Sequence, residues 1–278
     1  MQPAPRLLLN NGVQIDQVGF GTYKIPPGDT EALCTLALEA GYRHLDTASL
    51  YGNEAGVGAA LRAFTESGHA VRDDVFVTTK LWNTDQGRDA VRPAFEASLS
   101  RLGLEQVDLY LIHWPCTERG LFIETYRVLE ELYREGRIRA IGVSNFQPAH
   151  LEQLLDAVDV VPAVNQVELH PWLQQHELRR FHAGAGIRTA AWSPLGRGAL
   201  LEDPVVQDIA VDLGRTAAQV VLRWHVENDV VVLPKASSEE RIRGNLDLYS
   251  FELGEAHREA LAALDAGRRT GSHPDAVN

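Results

Sequence analysis

The chain has 278 residues, a formal net charge of −12 and a pI near 5.3, and an acidic chain without a basic stripe argues against nucleic acid or an anionic membrane surface as a partner. Two distant cysteines, Cys34 and Cys116, outline neither a disulfide framework nor a zinc ribbon. The apolar stretch in MQPAPRLLLN is too short for a signal peptide and no run approaches the ~18 apolar residues of a membrane span, so a soluble protein of a reducing cytoplasm is expected.

In chain order, LLLNNGVQI (7–15) sets Asn10-Asn11-Gly12 between two short apolar runs, the chemistry of a tight hairpin. From there strand-like and helical stretches alternate. VGFGT (18–22) leads to DTEALCTLALEAG, where Leu33, Leu36, Ala37 and Ala40 share a helical face, Thr30 can cap the start and Gly41 can end it. HLD (44–46) leads to a helix from about Asn53 that carries Val57, Leu61 and Phe64. DVFVTTK (74–80) precedes a helix around 88–102, and VDLYLIH (107–113) one around 121–135 ended by Gly136. IRAIGVSN (138–145) precedes a helix over 148–157, and PAVNQVE (162–168) one over 174–183. GIRTAAW (186–192) leads into a Gly/Pro loop and helical segments between 204 and 227, and DVVVLPK (229–235) into a last helix around 238–246.

Eight strand-like pieces, each followed by helix and with no composition break, imply parallel strands joined by crossovers. At this length they predict one α/β domain, residues 1–278, folded as a closed (β/α)8 TIM barrel with an N-terminal β-hairpin. An open doubly wound sheet would carry Gly-x-Gly-x-x-Gly after its first strand. Gly19-x-Gly21, Gly56-x-Gly58, Gly184-x-Gly186 and Gly196-x-Gly198 all lack the third glycine.

The working face of such a barrel is built from the carboxyl ends of its strands. Those ends read Asp46, Lys80, His113, Asn145, Gln166, Trp192-Ser193 and Lys235, with Tyr51 on the loop after the second strand. One polar strand end is unremarkable, but seven in register on one rim suggest a site. Asp46, Tyr51, Lys80 and His113 together suggest proton donation to a developing alkoxide. A free phenol titrates near ~10. A lysine ammonium ~4 Å away, at an effective dielectric of ~20, is worth ~4 kcal/mol or about three pKa units, which moves Tyr51 toward the working range of a general acid. Asp46 would keep Lys80 charged against burial, and His113 would direct the substrate oxygen. Tyr23, Trp82 and Trp114 are expected to line an apolar substrate mouth. His176 and His182 lie six apart, about 600° round a helix and so on different faces, and no metal is expected.

GYRHLDTASLYGNEAGVG, TTKLW, DLYLIHWP, IGVSNF, NQVELHP, AWSPLG and PKAS, in that order, resemble the aldo-keto reductases, particularly short bacterial members similar to diketogluconate reductases. The resemblance runs from about residue 7 to the end and includes RRTGSHPDAVN. It implies a (β/α)8 barrel that reduces aldehydes and ketones with NADPH, with Asp46, Tyr51, Lys80 and His113 as the catalytic tetrad. It also implies that Ser144, Asn145 and Gln166 hold the nicotinamide carboxamide and that Trp192 stacks on the ring. Ser193 and Leu195 follow the pattern of the loop over the pyrophosphate. Lys235, Ser237, Ser238, Arg241 and Asn245 fall where the family binds the adenosine 2′-phosphate and adenine. The residues add support of their own, because Lys235, Arg241 and Arg243 outnumber Glu239 and Glu240 in an otherwise acidic chain, which suits a phosphate dianion. Two positions depart from the pattern: Ala236 stands where many members have Ser, and Gly244 where many have Glu. The short loop WPCTERG after His113, and a C-terminal tail from about 266 closing the mouth, point to an open site for small polar, dicarbonyl or varied carbonyl substrates, and a monomer is the default expectation. A regulatory protein that reads cofactor occupancy on the same barrel is the alternative, against which the complete tetrad argues.

Overall fold

A computed structural model describes residues 4–278. The hairpin pairs β1 (Arg6–Leu8) with β2 (Gln14–Asp16) antiparallel, Leu7 opposite Ile15, and turns at Gly12, whose φ of 85° suits glycine. Eight parallel strands then form one sheet in chain order: β3 (Phe20–Gly21), β4 (His44–Asp46), β5 (Phe76–Leu81), β6 (Val107–Ile112), β7 (Ile138–Ser144), β8 (Val164–Glu168), β9 (Arg188–Trp192) and β10 (Val231–Val232). A parallel bridge between Val18 and Val232, with the Gly19 amide donating to the Val232 carbonyl at 2.9 Å, joins last strand to first and closes the ring. The crossovers are α1 (Pro27–Ala40), α2 (Glu54–Glu66), α3 (Val91–Leu102), α4 (Phe122–Arg134), α5 (Pro148–Leu155) and α6 (His176–Ala185). Two helices, α7 (Pro204–Leu213) and α8 (Ala217–Glu227), connect β9 to β10, and α9 (Glu239–Gly244) follows the ring. A further helix, α10 (Glu255–Ala262), which the sequence reading did not anticipate, leads into the C-terminal tail.

The start of α1 differs from expectation. Pro27 opens the helix, its fixed φ suiting the first turn, and Thr30 lies inside, its hydroxyl donating back to the Pro26 carbonyl at 2.9 Å. The buried face is accordingly Thr30, Cys34, Ala37 and Leu38, while Leu33, Leu36 and Ala40 pack only partly against the core.

The pleat sends alternate strand residues to opposite faces. One parity, including Val77, Ile112, Ile141, Val143, Val167 and Ala191, packs with the helices in the main apolar core. The other, Phe76, Leu109, Leu111, Ala140, Val164, Ala190, Val231 and Leu233, forms a separate cluster with Leu9 and Ile15 of the hairpin. This second cluster is the barrel interior, and the hairpin seals its amino-terminal end. The inner wall is tight: a Cβ on Gly142 would lie 2.5 Å from the Val164 carbonyl oxygen, so only glycine fits there. Continuing the inward parity toward the carboxyl ends gives Lys80, His113, Ser144, Gln166, Trp192 and Lys235. Strand alternation alone therefore aims these six side chains into the open end of the ring.

Candidate active site

The floor of that open end is a charged cluster. Lys80 Nζ, fully buried, donates to Asp46 Oδ1 at 2.7 Å and to the Thr47 carbonyl at 2.8 Å, and stands 3.4 Å from the Tyr51 hydroxyl. The other carboxylate oxygen of Asp46 accepts from Gln166 Nε2 at 2.7 Å. Tyr51 ends a short 3₁₀ turn, Ser49–Tyr51, that is tied down on both sides. Ser49 Oγ donates to the Lys80 carbonyl at 3.0 Å. Asn53, buried just beyond, donates to the carbonyls of Thr22 and Ile25 and accepts from the Thr47 hydroxyl at 2.8 Å. The sequence marks Asn53 only as a helix start, yet its side chain makes no cap to α2 and instead ties the loop after β3 to the loop after β4 that carries Tyr51. An Asn at a helix N-terminus is the one signal available, and it points to the commoner capping role.

The electrostatics correct one expectation. Desolvation, with Asp46 and Tyr23 nearby, holds the Tyr51 phenol well above its ordinary value rather than below it. Burial is the leading cause, and the Lys80 charge does not offset it, being held by Asp46 at 2.7 Å while the phenol oxygen lies at 3.4 Å. Burial lowers the Lys80 ammonium from its usual value and the Asp46 carboxylate opposes that loss. His113 is pushed well below the usual imidazole range, first by burial and then by the Lys80 charge, so its ring is neutral at neutral pH. Its Nδ1, although buried, has no hydrogen-bond partner among the described residues.

Above the floor opens a cavity of about 1220 Å³. Asp46, Tyr51 and His113 line it together with Tyr23, Trp82 and Trp114, while Lys80 lies behind them. Trp82 and Tyr51 pack edge to face on His113, at 5.2 Å and 5.8 Å between ring centroids, and the Trp114 ring lies parallel to it at 6.5 Å. Leu50, 47% exposed at the same mouth, was missed because an apolar residue in a loop gives no local sign of its setting. Along the next wall, Ser144 Oγ donates to the Gln166 carbonyl at 2.7 Å and Asn145 Nδ2 to the His113 carbonyl at 2.9 Å. Trp192 Nε1 donates to Asn145 Oδ1 at 2.8 Å, which fixes the indole. Ser193 and Leu195 follow on the same wall, and Lys235, Ser237, Arg241 and Asn245 line the far end.

Ser238 is absent from the lining; its hydroxyl instead caps α9 by accepting from the Arg241 amide. Ala236 is 4% exposed and packs into the main core, and a Cβ on Gly244 would meet nothing within 4 Å. Glu240 lines the same end as Lys235 and Arg241. His182 lies inside the protein, bonded to Asn165 and Thr189, whereas the His176 side chain is 59% exposed. Among the described residues no group of three or more His, Cys, Asp or Glu could hold a metal ion, and no helix is long and apolar enough to cross a membrane. Ser272 and Val277 of the tail line the cavity, as expected of a segment closing its mouth.

The Aldo/keto reductase family matches residues 17–266. An "Aldo-keto reductase" of Mycobacterium sp. (strain KMS) is 50% identical over 275 residues, 99% of this chain and 98% of the relative. The "Glyoxal reductase" of Bacillus subtilis (strain 168) is 46% identical over 269 residues, 96% of this chain and 95% of that one. A crystal structure of a Gox0644 mutant in complex with NADPH superposes with a TM-score of 0.94 at 41% identity, over 100% of both chains. Closed barrel, hairpin and family match agree, and the chain belongs to the aldo/keto reductase family, oxidoreductases that act on small carbonyl compounds with a nicotinamide cofactor.

Proposed function

We propose that this protein reduces aldehydes and ketones to alcohols with NADPH, Tyr51 acting as general acid. The observation that carries the reading is the Lys80 ammonium held between Asp46 at 2.7 Å and the Tyr51 hydroxyl at 3.4 Å on the cavity floor. The residues present fit the cofactor. Lys235 and Arg241, at the far end, pair with no carboxylate among the described residues and so are available to a 2′-phosphate, whereas Arg243 is engaged by Glu239. Ser144, Asn145 and Gln166 would hold the carboxamide, Trp192 would stack on the nicotinamide, Ser193 and Leu195 would border the pyrophosphate, and Ser237 and Asn245 the adenosine. When bound, the reduced nicotinamide supplies the hydride.

The rest is work for the chain. A phenol whose pKa is raised keeps its proton at neutral pH, so Tyr51 waits as a loaded donor. As negative charge grows on the carbonyl oxygen, Tyr51 passes its proton there, and the Lys80 ammonium faces the phenolate oxygen this leaves. The raised pKa is thus compatible with the role, because Lys80 acts on charge that develops rather than on charge already present. Asp46 keeps Lys80 protonated, and neutral His113 offers a ring N–H to the same substrate oxygen. Water then returns the proton to Tyr51. The glyoxal reductase relative and the aromatic mouth of Tyr23, Trp82 and Trp114 support small polar, dicarbonyl or varied carbonyls as substrates. The whole chain is read as one barrel domain, working as a cytoplasmic monomer.

Tyr51→Phe tests the acid. We expect NADPH binding within about twofold of wild type and loss of about a hundredfold or more in turnover with a small dicarbonyl, the scale of general acid catalysis. Turnover above a tenth of wild type would show that another group supplies the proton.

A further inference from the structure

We infer that Glu168 is a positioning residue that, through Gly271 of the C-terminal tail, sets the indole of Trp192. The inference rests on the reading of Trp192 as the surface against which the nicotinamide lies. Glu168 ends β8 on the inward parity and is fully buried. Its carboxylate reaches over the wall and collects the tail. Oε1 accepts from the Thr270 amide and hydroxyl, both at 2.6 Å, and both oxygens accept from the Gly271 amide at 3.1 Å. His170 Nε2 lies 3.1 Å from the same Oε1. Burial alone would raise this carboxyl, but the bonds from His170 and Thr270 outweigh it and hold it at about 2. The acceptor is therefore fully charged across the neutral range.

What this bond does is press backbone onto the indole. A Cβ built on Gly271 would lie 2.5 Å from Trp192 Cη2 and 3.1 Å from Glu168 Oε2. Gly271 is not in the left-handed region, so its lack of a side chain serves space and not conformation. Trp192 is thus gripped at two edges, by Asn145 at its Nε1 and by Gly271 at its six-membered ring. The rest of the tail is tied separately: Ala266 and Arg268 to the Trp172 carbonyl, Asp275 to His150 at 3.2 Å, and Asn278 to the Glu118 amide at 2.9 Å. The segment that borders the substrate mouth is therefore mechanically joined to the proposed cofactor surface, with Glu168 as the anchor.

The test is a double-mutant cycle between Gly271→Ala and Trp192→Ala, read by titrating each protein with NADPH and following fluorescence quenching, alongside kcat, KM and melting temperature. We expect Gly271→Ala to weaken NADPH binding by about fivefold or more with little change in melting temperature, and to do so by less than about twofold once Trp192 is already Ala, as contacting residues couple. Thr270→Ala, which removes one bond to Glu168 and leaves the backbone intact, moves NADPH binding the same way by less. A Gly271→Ala effect equal in both backgrounds, or absent in both, overturns the inference. Trp192→Ala binding NADPH as wild type would remove the cofactor-surface reading and the inference with it. Tyr51→Phe stays independent of all these outcomes, since the acid assignment does not pass through Trp192.

Discussion

Replacing Asp46 with Asn probes the charge arrangement without removing bulk. In the folded protein Asp46 takes Lys80 Nζ on one oxygen and Gln166 Nε2 on the other, both at 2.7 Å. At that separation and an effective dielectric of ~20, the attraction is ~6 kcal/mol. Asn offers a single acceptor oxygen for two donors and no charge. A buried ion left without its partner costs about 3–5 kcal/mol, and the ammonium escapes most of that by giving up its proton. Lys80 already titrates below its ordinary value through burial, so removing the opposing carboxylate lowers it further. A neutral amine cannot stabilise the phenolate that forms on Tyr51. If half of the pair's energy is felt in the transition state, ~3 kcal/mol is lost and kcat falls about a hundredfold. The sign follows from Lys80 having to be charged: the fall of kcat with rising pH should move to lower pH in Asp46→Asn, with partial recovery as pH drops. The assay is a kcat–pH profile at saturating NADPH and carbonyl, run with wild type beside it. A variant that keeps more than about a third of wild-type turnover, with its alkaline limb unmoved, would refute the idea that Asp46 keeps Lys80 charged.

Two further outcomes are expected. Lys235→Ala and Arg241→Ala should each weaken NADPH binding by about tenfold while leaving NADH nearly unchanged, because only NADPH carries the 2′-phosphate; equal losses for both cofactors in calorimetric titrations would place these cations elsewhere. His182 should make folding sensitive to mild acid: its Nε2 faces the Asn165 amide at 2.9 Å, and burial first, then Arg179, lowers it to about 3. The unfolded ring binds a proton below ~6.5 and the native ring does not, so the contribution is whole above ~6.5 and shrinks as pH falls, by about 2 kcal/mol at pH ~5. Urea unfolding at pH ~7.5 and ~5 should show a smaller pH-dependent loss in His182→Gln, and an identical loss in both proteins would contradict it.

Much of the architecture was legible residue by residue. Asn10-Asn11-Gly12 announced its turn, the eight alternations announced the barrel, and the polar strand ends from Asp46 to Lys235 marked the face where chemistry sits. These are local properties, written in turn chemistry, hydrophobic period and the polarity of neighbouring residues. Where a local rule had two outcomes, the sequence could not choose. Thr30 could cap or lie inside a helix, Ser238 could meet a ligand or cap α9, and Asn53 could cap α2 or staple loops. The direction of the Tyr51 shift was of the same kind, because it depends first on how deeply the phenol is buried and then on the Asp46 charge beside it. Glu168 gave no sign that it would hold residues 102 and 103 positions later. Pairing of β4 with β5 brings Lys80 to Asp46 across 34 residues, and curling the sheet into a ring brings Gln166 to the same carboxylate across 120. Distance and desolvation, which set every pKa and every proposed contact in the site, come into being only with that closure; composition and spacing carry the side chains, and the closed barrel decides which of them touch.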